Sequence, residues 1–512
     1  MGTAERLIKN TFFLYTKMAI TMFVAFLTTR IVLNALGKSD FGLFNVVGGA
    51  IALLGFLNVS MASTTQRFMN ISEGEGNAEK QKTVFNVGLI IHFGLALLVG
   101  VVLFCLGFFF FNGGLNIPEG RTTAALIVYA SLILSTMFTI MSVPYDAMLN
   151  AHENMKYYAV VGIIESFLRL GAALCASHTS YDKLIIYGIL MAIIPICSLS
   201  IMRIYCHKHY AECLFHPKKY WSTSMMKDEL SFASWNLLTA MSMGGAMYGM
   251  GLVANHFWGV LVNAAQGIAT QVGGAVSHFS ESAMKALNPV IVKSEGAGDR
   301  QRLIYTTMLG CRVSFTIFAF FSIPIIIEMP LILRLWLENV PEWAIIFCRL
   351  QLALFCSMQL INSIATTIYA EGHIRNYAIY KSIANLLPLA LAVVLFLQGF
   401  PPYYMYILEI ICWFGLGCGI VLFFAHQLVA FSVKAYLQQV ILPVGTLLLI
   451  ILPVLYTLYH ATFSIPFPYE KLCILLCYAA IYAVLGYHII LKKEERMAIK
   501  KAINKRFKKR IQ

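Results

Sequence analysis

Apolar runs of about 20 residues or more recur along nearly the whole chain, and each is long enough to cross a hydrocarbon core as a helix. In lipid every backbone polar group must be bonded within the protein, so helices are the natural solution. Barrel strands would be about 10 residues long and would alternate apolar with polar, and these runs do neither. Hydrophobic residues make up 59% of the 512 positions and charged residues 12%, which excludes an ordinary soluble domain. The chain therefore reads as an all-α polytopic membrane protein with about fourteen spans. They are placed near 10–36, 41–66, 83–111, 122–146, 156–177, 183–204, 230–255, 259–284, 303–329, 343–369, 374–398, 403–428, 436–459 and 469–491. The first run follows Arg6 and Lys9 without a cleavage pattern and is expected to be a retained anchor.

The net charge of +14 is distributed unevenly. Alternate connections carry the basic residues: Arg67, Lys80 and Lys82; then Arg203, Lys208, Lys218 and Lys219; then Lys285, Lys293, Arg300 and Arg302; then the tail from Lys492. The opposite connections hold little beyond Lys38, Arg121, Lys183 and Arg334. By the positive-inside rule both termini are expected in the cytoplasm of a cell that carries the protein in its inner, cytoplasmic membrane. The basic tail is expected to lie on anionic lipid headgroups rather than to bind nucleic acid.

One short polar loop is written twice. "SEGEGNAEKQK" begins at Ser72 and "SEGAGDRQR" at Ser294. Around them Asn45, Gly49, Gly55 and Asn70 align with Asn263, Gly267, Gly273 and Asn288, and Arg67 with Lys285. A third segment agrees: "AHENMKYYAV" after span four meets "AEGHIRNYAI" after span ten. The repeat unit holds six spans, an even number, so both copies enter the membrane in the same direction. The expected layout is an N-terminal lobe (1–205), a cytoplasmic connection (206–229), a C-terminal lobe (230–429), two additional spans (430–491) and the basic tail (492–512).

Two six-span lobes plus two further spans resemble the multidrug/oligosaccharidyl-lipid/polysaccharide exporter superfamily. "TTRIVLNALGKSDFGLFNVVGGAI", with Leu36, Gly37, Phe41 and Gly42, resembles the first-to-second-span signature of its polysaccharide-flippase branch, the O-antigen flippases among them. "VPYDAMLNAHENMKYYAV" resembles that branch's fourth-to-fifth-span connection. The resemblance implies a secondary transporter that flips polyprenyl-pyrophosphate-linked oligosaccharide units for surface polysaccharide biosynthesis, by alternating access between lobes. It implies a lipid-linked oligosaccharide as substrate, surrounding membrane lipids, and other polysaccharide-assembly membrane proteins as partners. A multidrug or metabolite antiporter of the same superfamily is the alternative.

The chemistry within the spans agrees with transport. No G-x-x-x-x-G-K-[ST] loop is present, and the outer loops are too short to carry a glycan polymerase or ligase site. No cofactor is expected, and the coupling ion, H⁺ or Na⁺, is left open. Charges inside spans are costly and usually face a cavity or a partner. The candidates are Lys17, Arg30, Glu165, Arg169, Arg312, Arg349 and Lys381, with Glu409 a further deep acid. The excess is positive, which suits a pyrophosphate better than a lipophilic cation. Bland readings stand beside this: Arg30 snorkels, Glu165 and Arg169 neutralise each other at i, i+4, and Arg349 is interfacial. Tyr377, Lys381 and Asn385 form a stripe leading to Pro388, and Asn263, Gln266 and Thr270 form another on span eight, suited either to helix packing or to a hydrated sugar path. Spans thirteen and fourteen read as lipid-facing bulk or a groove for a prenyl tail. The cluster Cys206, His207, His209, Cys213 and His216 fits no zinc spacing, so no metal is expected.

Overall fold

The computed structural model describes residues 3–52, 55–114, 117, 120–337, 339–460, 469–497 and 500. All regular structure among them is helical. The chain divides into two compact units: Phe12–Leu237 with Gly296–Gly298, and Leu238–Glu295 with the described residues up to Thr11 and from Asp299 onward.

The N-terminal unit holds most of α1 (Thr3–Ala52), α2 (Gly55–Gly74), α3 (Ala78–Phe109), α4 (Thr122–Ala151), α5 (Met155–His178), α6 (Lys183–His209), the single turn α7 (Pro217–Tyr220) and the start of α8 (Thr223–Trp258). Its closest packing is α4 on α6, where Gly188 lies against Val128: a Cβ there would meet Val128 Cγ2 at 2.9 Å and its Cα at 3.3 Å. Asn86, fully buried on α3, fastens the 206–216 connection by donating to the Leu214 carbonyl (2.7 Å) and accepting from the His216 N–H (2.9 Å). At the other end Arg121 bridges Asp40 and Asp182, and Asp182 also caps α6 through the N–H groups of Leu184 and Ile185.

The C-terminal unit holds the rest of α8, α9 (Val260–Gly296), α10 (Arg300–Ile327), α11 (Met329–Trp336), α12 (Ala344–Glu371), α13 (Arg375–Leu397), α14 (Tyr404–Glu409), a π-helical stretch over Ile410–Leu416, α15 (Gly417–Val429), α16 (Val433–Tyr436), α17 (Leu442–His460) and α18 (Tyr469–Leu485). The two helices expected to stand outside the repeat belong to this same unit. Tyr478 and Tyr482 of α18 donate to the Phe320 and Thr316 carbonyls of α10 at 3.1 and 2.9 Å.

Twelve helices among the described residues are long and apolar enough to cross a membrane, against the fourteen expected. The two missing are 41–66 and 259–284. Both are helical where described, in α1, α2 and α9. The segment 259–284 carries too many polar side chains to count as a span by composition alone. The duplicated loops have a physical explanation. Gly76 and Gly298 adopt the left-handed conformation, φ +67° and +68°, and the next residues, Asn77 and Asp299, cap the following helix by accepting from Lys80 and Arg302 N–H. Each copy is thus a stop, a left-handed glycine and a restart. Glu153 and Gly372, in the second repeated pair of connections, also share a positive φ.

Candidate transport site

The C-terminal unit contains a cavity of about 530 Å³ within its own helices. Asn263, Gln266 and Thr270 of α9 line it with Gln351 of α12. Tyr248 of α8, Tyr406 and Trp413 supply aromatic surface, and Glu409 supplies the one charge among its lining residues. The α9 residues share a face because they recur at three- and four-residue spacing. Thr270 Oγ1 donates back to the Gln266 backbone carbonyl at 3.0 Å. Gly251 makes room for the Gln266 side-chain amide: a Cβ there would lie 3.1 Å from Gln266 Oε1.

Glu409 is the last α-helical residue before the π-helical stretch, and Trp413 stands one turn further on. A π segment widens the helix and often marks a functional site. Glu409 is buried, and no ion pair or hydrogen bond joins it to another described residue. Asn263 Oδ1 and the Tyr406 hydroxyl are buried without a partner as well. Buried polar groups are ordinarily satisfied, so orphans gathered at one cavity indicate a polar ligand or water. Trp413 Nε1 donates to the Asn385 carbonyl at 3.0 Å. That carbonyl lies one turn before Pro388, whose ring disturbs the helix ladder.

The structure distributes the expected cavity charges widely. Lys381 is buried with its Nζ unpartnered, but it lies beside Gly417 and is not among the cavity lining. Asn385 touches the site only from behind, through Trp413, and its Nδ2 reaches Ser242 Oγ at 3.1 Å. Arg312 is committed elsewhere: its guanidinium bonds the Glu495 carboxylate and the Ile490 carbonyl. Arg349 Nε donates to the Ile326 carbonyl at 2.9 Å, at the end of α10. In the N-terminal unit Lys17 passes over Gly162 and sets its ammonium 4.0 Å from the Tyr158 ring centre. Arg169 pairs with Glu165 at 2.7 Å on the same helix, and both are substantially exposed. Arg30 is exposed.

Of the residues singled out in the sequence, Asn263, Gln266 and Thr270 thus share one cavity with the deep acid Glu409. The cations do not join them there. Sequence reasoning missed Tyr248, Gln351, Tyr406 and Trp413. Only the four-residue spacing of Glu409 and Trp413 could have pointed to any of them. In the Cys/His connection, as elsewhere among the described residues, no group of three such ligands comes together. Cys206 and Cys213 are buried together, and the neighbouring thiol and burial push the Cys213 thiol above its ordinary range.

No family model matches the chain, and no curated protein matches it. Solved structures do. A MATE transporter in its straight conformation superposes with a TM-score of 0.72 at 14% identity, over 84% of this chain and 97% of that one. An outward-facing multidrug-resistance MATE family transporter of the MOP superfamily gives 0.70 at 14% identity, over 84% and 99%. A MOP superfamily transporter from Pyrococcus furiosus, whose reversed pocket polarity is said to suggest a different function, gives 0.70 at 13% identity, over 84% and 99%. The chain has the MATE transporter fold. Together with its twelve long apolar helices, that fold marks it as a multi-pass helical membrane protein.

Proposed function

We propose that the chain is a flippase that carries lipid-linked oligosaccharide across the cytoplasmic membrane, with the basic connections on the cytoplasmic side. The observation that supports this is the lining of the C-terminal cavity. Amides, a hydroxyl and broad aromatic faces dominate it. Amides both donate and accept, which suits the hydroxyls of a sugar, and aromatic faces suit its C–H surfaces. In this reading the sugar portion occupies the cavity. Glu409 takes up the coupling cation, a proton or Na⁺, because a lone buried carboxylate is costly until it is neutralised. Translocation follows from alternating access of the two lobes.

The other reading is an exporter of lipophilic cations. It is favoured by the neighbourhood of Glu409, Tyr406 and Trp413 at one cavity, since a carboxylate among aromatic faces also attracts a cation. One experiment separates the two. In a deletion strain complemented at matched expression, Gln351→Ala and Glu409→Gln should let lipid-linked oligosaccharide accumulate by about tenfold, the loss expected for one polar or charged contact, with resistance to cationic dyes unchanged. Loss of dye resistance without accumulation would establish the exporter and refute the flippase.

A further inference from the structure

The N-terminal unit has its own recess, far in sequence from the residues of the transport cavity. It has a volume of about 280 Å³ and lies between α3, α4 and α6. Its inner wall is apolar: Leu89, Phe93, Met141 and Leu199. Tyr145, Arg203 and His207 form the other end, where α4 and α6 approach the basic connection. Leu199, Arg203 and His207 follow one another at four-residue spacing, so a single face of α6 runs from apolar to cationic. Phe93 and Phe215 are 52% and 55% exposed, so the recess opens at the surface of the lobe.

The cation at its mouth is free. Arg203 is exposed and makes no hydrogen bond or ion pair among the described residues. His207 Nε2 is only 3.4 Å from the Tyr145 hydroxyl, a weak contact. Lys208, Lys218 and Lys219 follow on the same connection, so the local field is positive. For a helix bundle in a membrane, an outward-opening apolar slot ending in an unpaired guanidinium has the shape and charge order of one lipid. The chain lies along the spans, and the phosphate meets the arginine, whose N–H fork matches phosphate oxygens. Basic residues at this level attract anionic rather than zwitterionic headgroups.

We propose that this recess is a binding site for one anionic phospholipid of the leaflet that faces the basic connections. An acyl chain lies against Leu89, Phe93 and Leu199, and the phosphodiester lies against Arg203. The site is separate from the proposed substrate path and stands or falls independently of it.

The test uses the full chain, purified and delipidated, with bound lipid counted by native mass spectrometry during titration. Phosphatidylglycerol should be retained at one copy with about tenfold preference over phosphatidylcholine. Arg203→Gln should remove that preference, and Arg203→Lys should keep most of it. Leu89→Trp fills the slot without changing charge and should reduce retention of both lipids. Millimolar inorganic phosphate should not compete, because it brings no chain. Equal retention of the two lipids by the unaltered protein, or unchanged preference in Arg203→Gln, would overturn the proposal. So would displacement by inorganic phosphate, which would reveal a simple anion site. Retention of a polyprenyl phosphate but not of phosphatidylglycerol would also overturn it, assigning the recess to the carrier lipid instead.

Discussion

Replacing Arg312 distinguishes a substrate ligand from a structural clamp. Its side chain is 1% exposed and that of Glu495 is 7% exposed. Nη2 donates to Glu495 Oε1 at 2.7 Å and Nη1 to Oε2 at 3.3 Å, a forked pair, while Nη1 also meets the Ile490 carbonyl. Glu495 accepts two more bonds, from the Tyr305 hydroxyl and the Lys492 N–H, both at 2.8 Å. Arg312→Met therefore leaves a buried carboxylate with two donors and no counter-charge. Glu495→Gln leaves a buried guanidinium facing a neutral amide. Removing one partner of such a pair costs about 3–5 kcal/mol, mostly because the other charge is stranded. Removing both charges restores neutrality, so the double variant should be more stable than either single one. The assay is thermal unfolding of the detergent-solubilised full chain, read by thiol labelling of Cys311, which is fully buried beside Arg312. The double variant should also transport at nearly the normal rate. Additive losses in the double variant would refute the clamp. A stable Arg312→Met protein that fails to transport would instead return Arg312 to the substrate path.

Two further predictions concern the N-terminal unit. Asp182 is held below the ordinary carboxylate range: burial alone would raise it, but the hydrogen bond from Arg121 and the α6 N–H groups outweigh burial. Its folded-state value being depressed, its contribution is present above the unfolded value and is lost as pH falls through the folded one; Arg121→Gln should cost about 1–2 kcal/mol at neutral pH and flatten the acid limb of a stability-versus-pH curve, and an unchanged acid limb would contradict this. Gly188→Ala drives a methyl group against the Val128 backbone, which cannot swing aside, and should destabilise by about 1–3 kcal/mol; a thermal midpoint equal to that of the unaltered protein would show that α4 and α6 are free to separate.

What could be read in the sequence was whatever depends on local spacing. Apolar runs gave the helices, and the duplicated Ser-Glu-Gly-x-Gly gave two loops that prove alike in backbone, each turning on a left-handed glycine. The α9 stripe of Asn263, Gln266 and Thr270 was legible because a helix face is written in three- and four-residue steps. The fate of the buried charges was not legible. Arg312 meets Glu495 183 residues later, and Arg349 meets carbonyls 22 and 23 residues earlier. A charge inside a span announces that it needs a partner but not which one. Gln351 and Glu409 carry no local mark of belonging to the α9 stripe, since only tertiary packing joins three helices at one cavity. The expected span at 259–284 differs from the rest for a related reason: α9 is polar along the face that lines the cavity, so its membrane character depends on what that face meets.

The C-terminal lobe departs from regular helix where it encloses the cavity. A helix in lipid cannot leave backbone groups unsatisfied, so irregular backbone is tolerated only where protein or a polar cavity receives it. The π-helical stretch begins directly after Glu409, and Trp413 lies within it. Trp413 hands its N–H to the Asn385 carbonyl, near the proline of α13, and so ties two disturbed helices together. Glu409 and Trp413 therefore sit at and within a segment whose hydrogen-bond register already departs from the regular helix. If a cation neutralises Glu409, the altered charge acts on that segment, and the Trp413–Asn385 bond carries the effect into α13. Lys381 stands one turn before Asn385 on α13, buried and without a hydrogen-bond partner. Two buried charges without an ion-pair partner among the described residues, Glu409 and Lys381, thus stand on segments joined by one tryptophan, although only the acid lines the cavity.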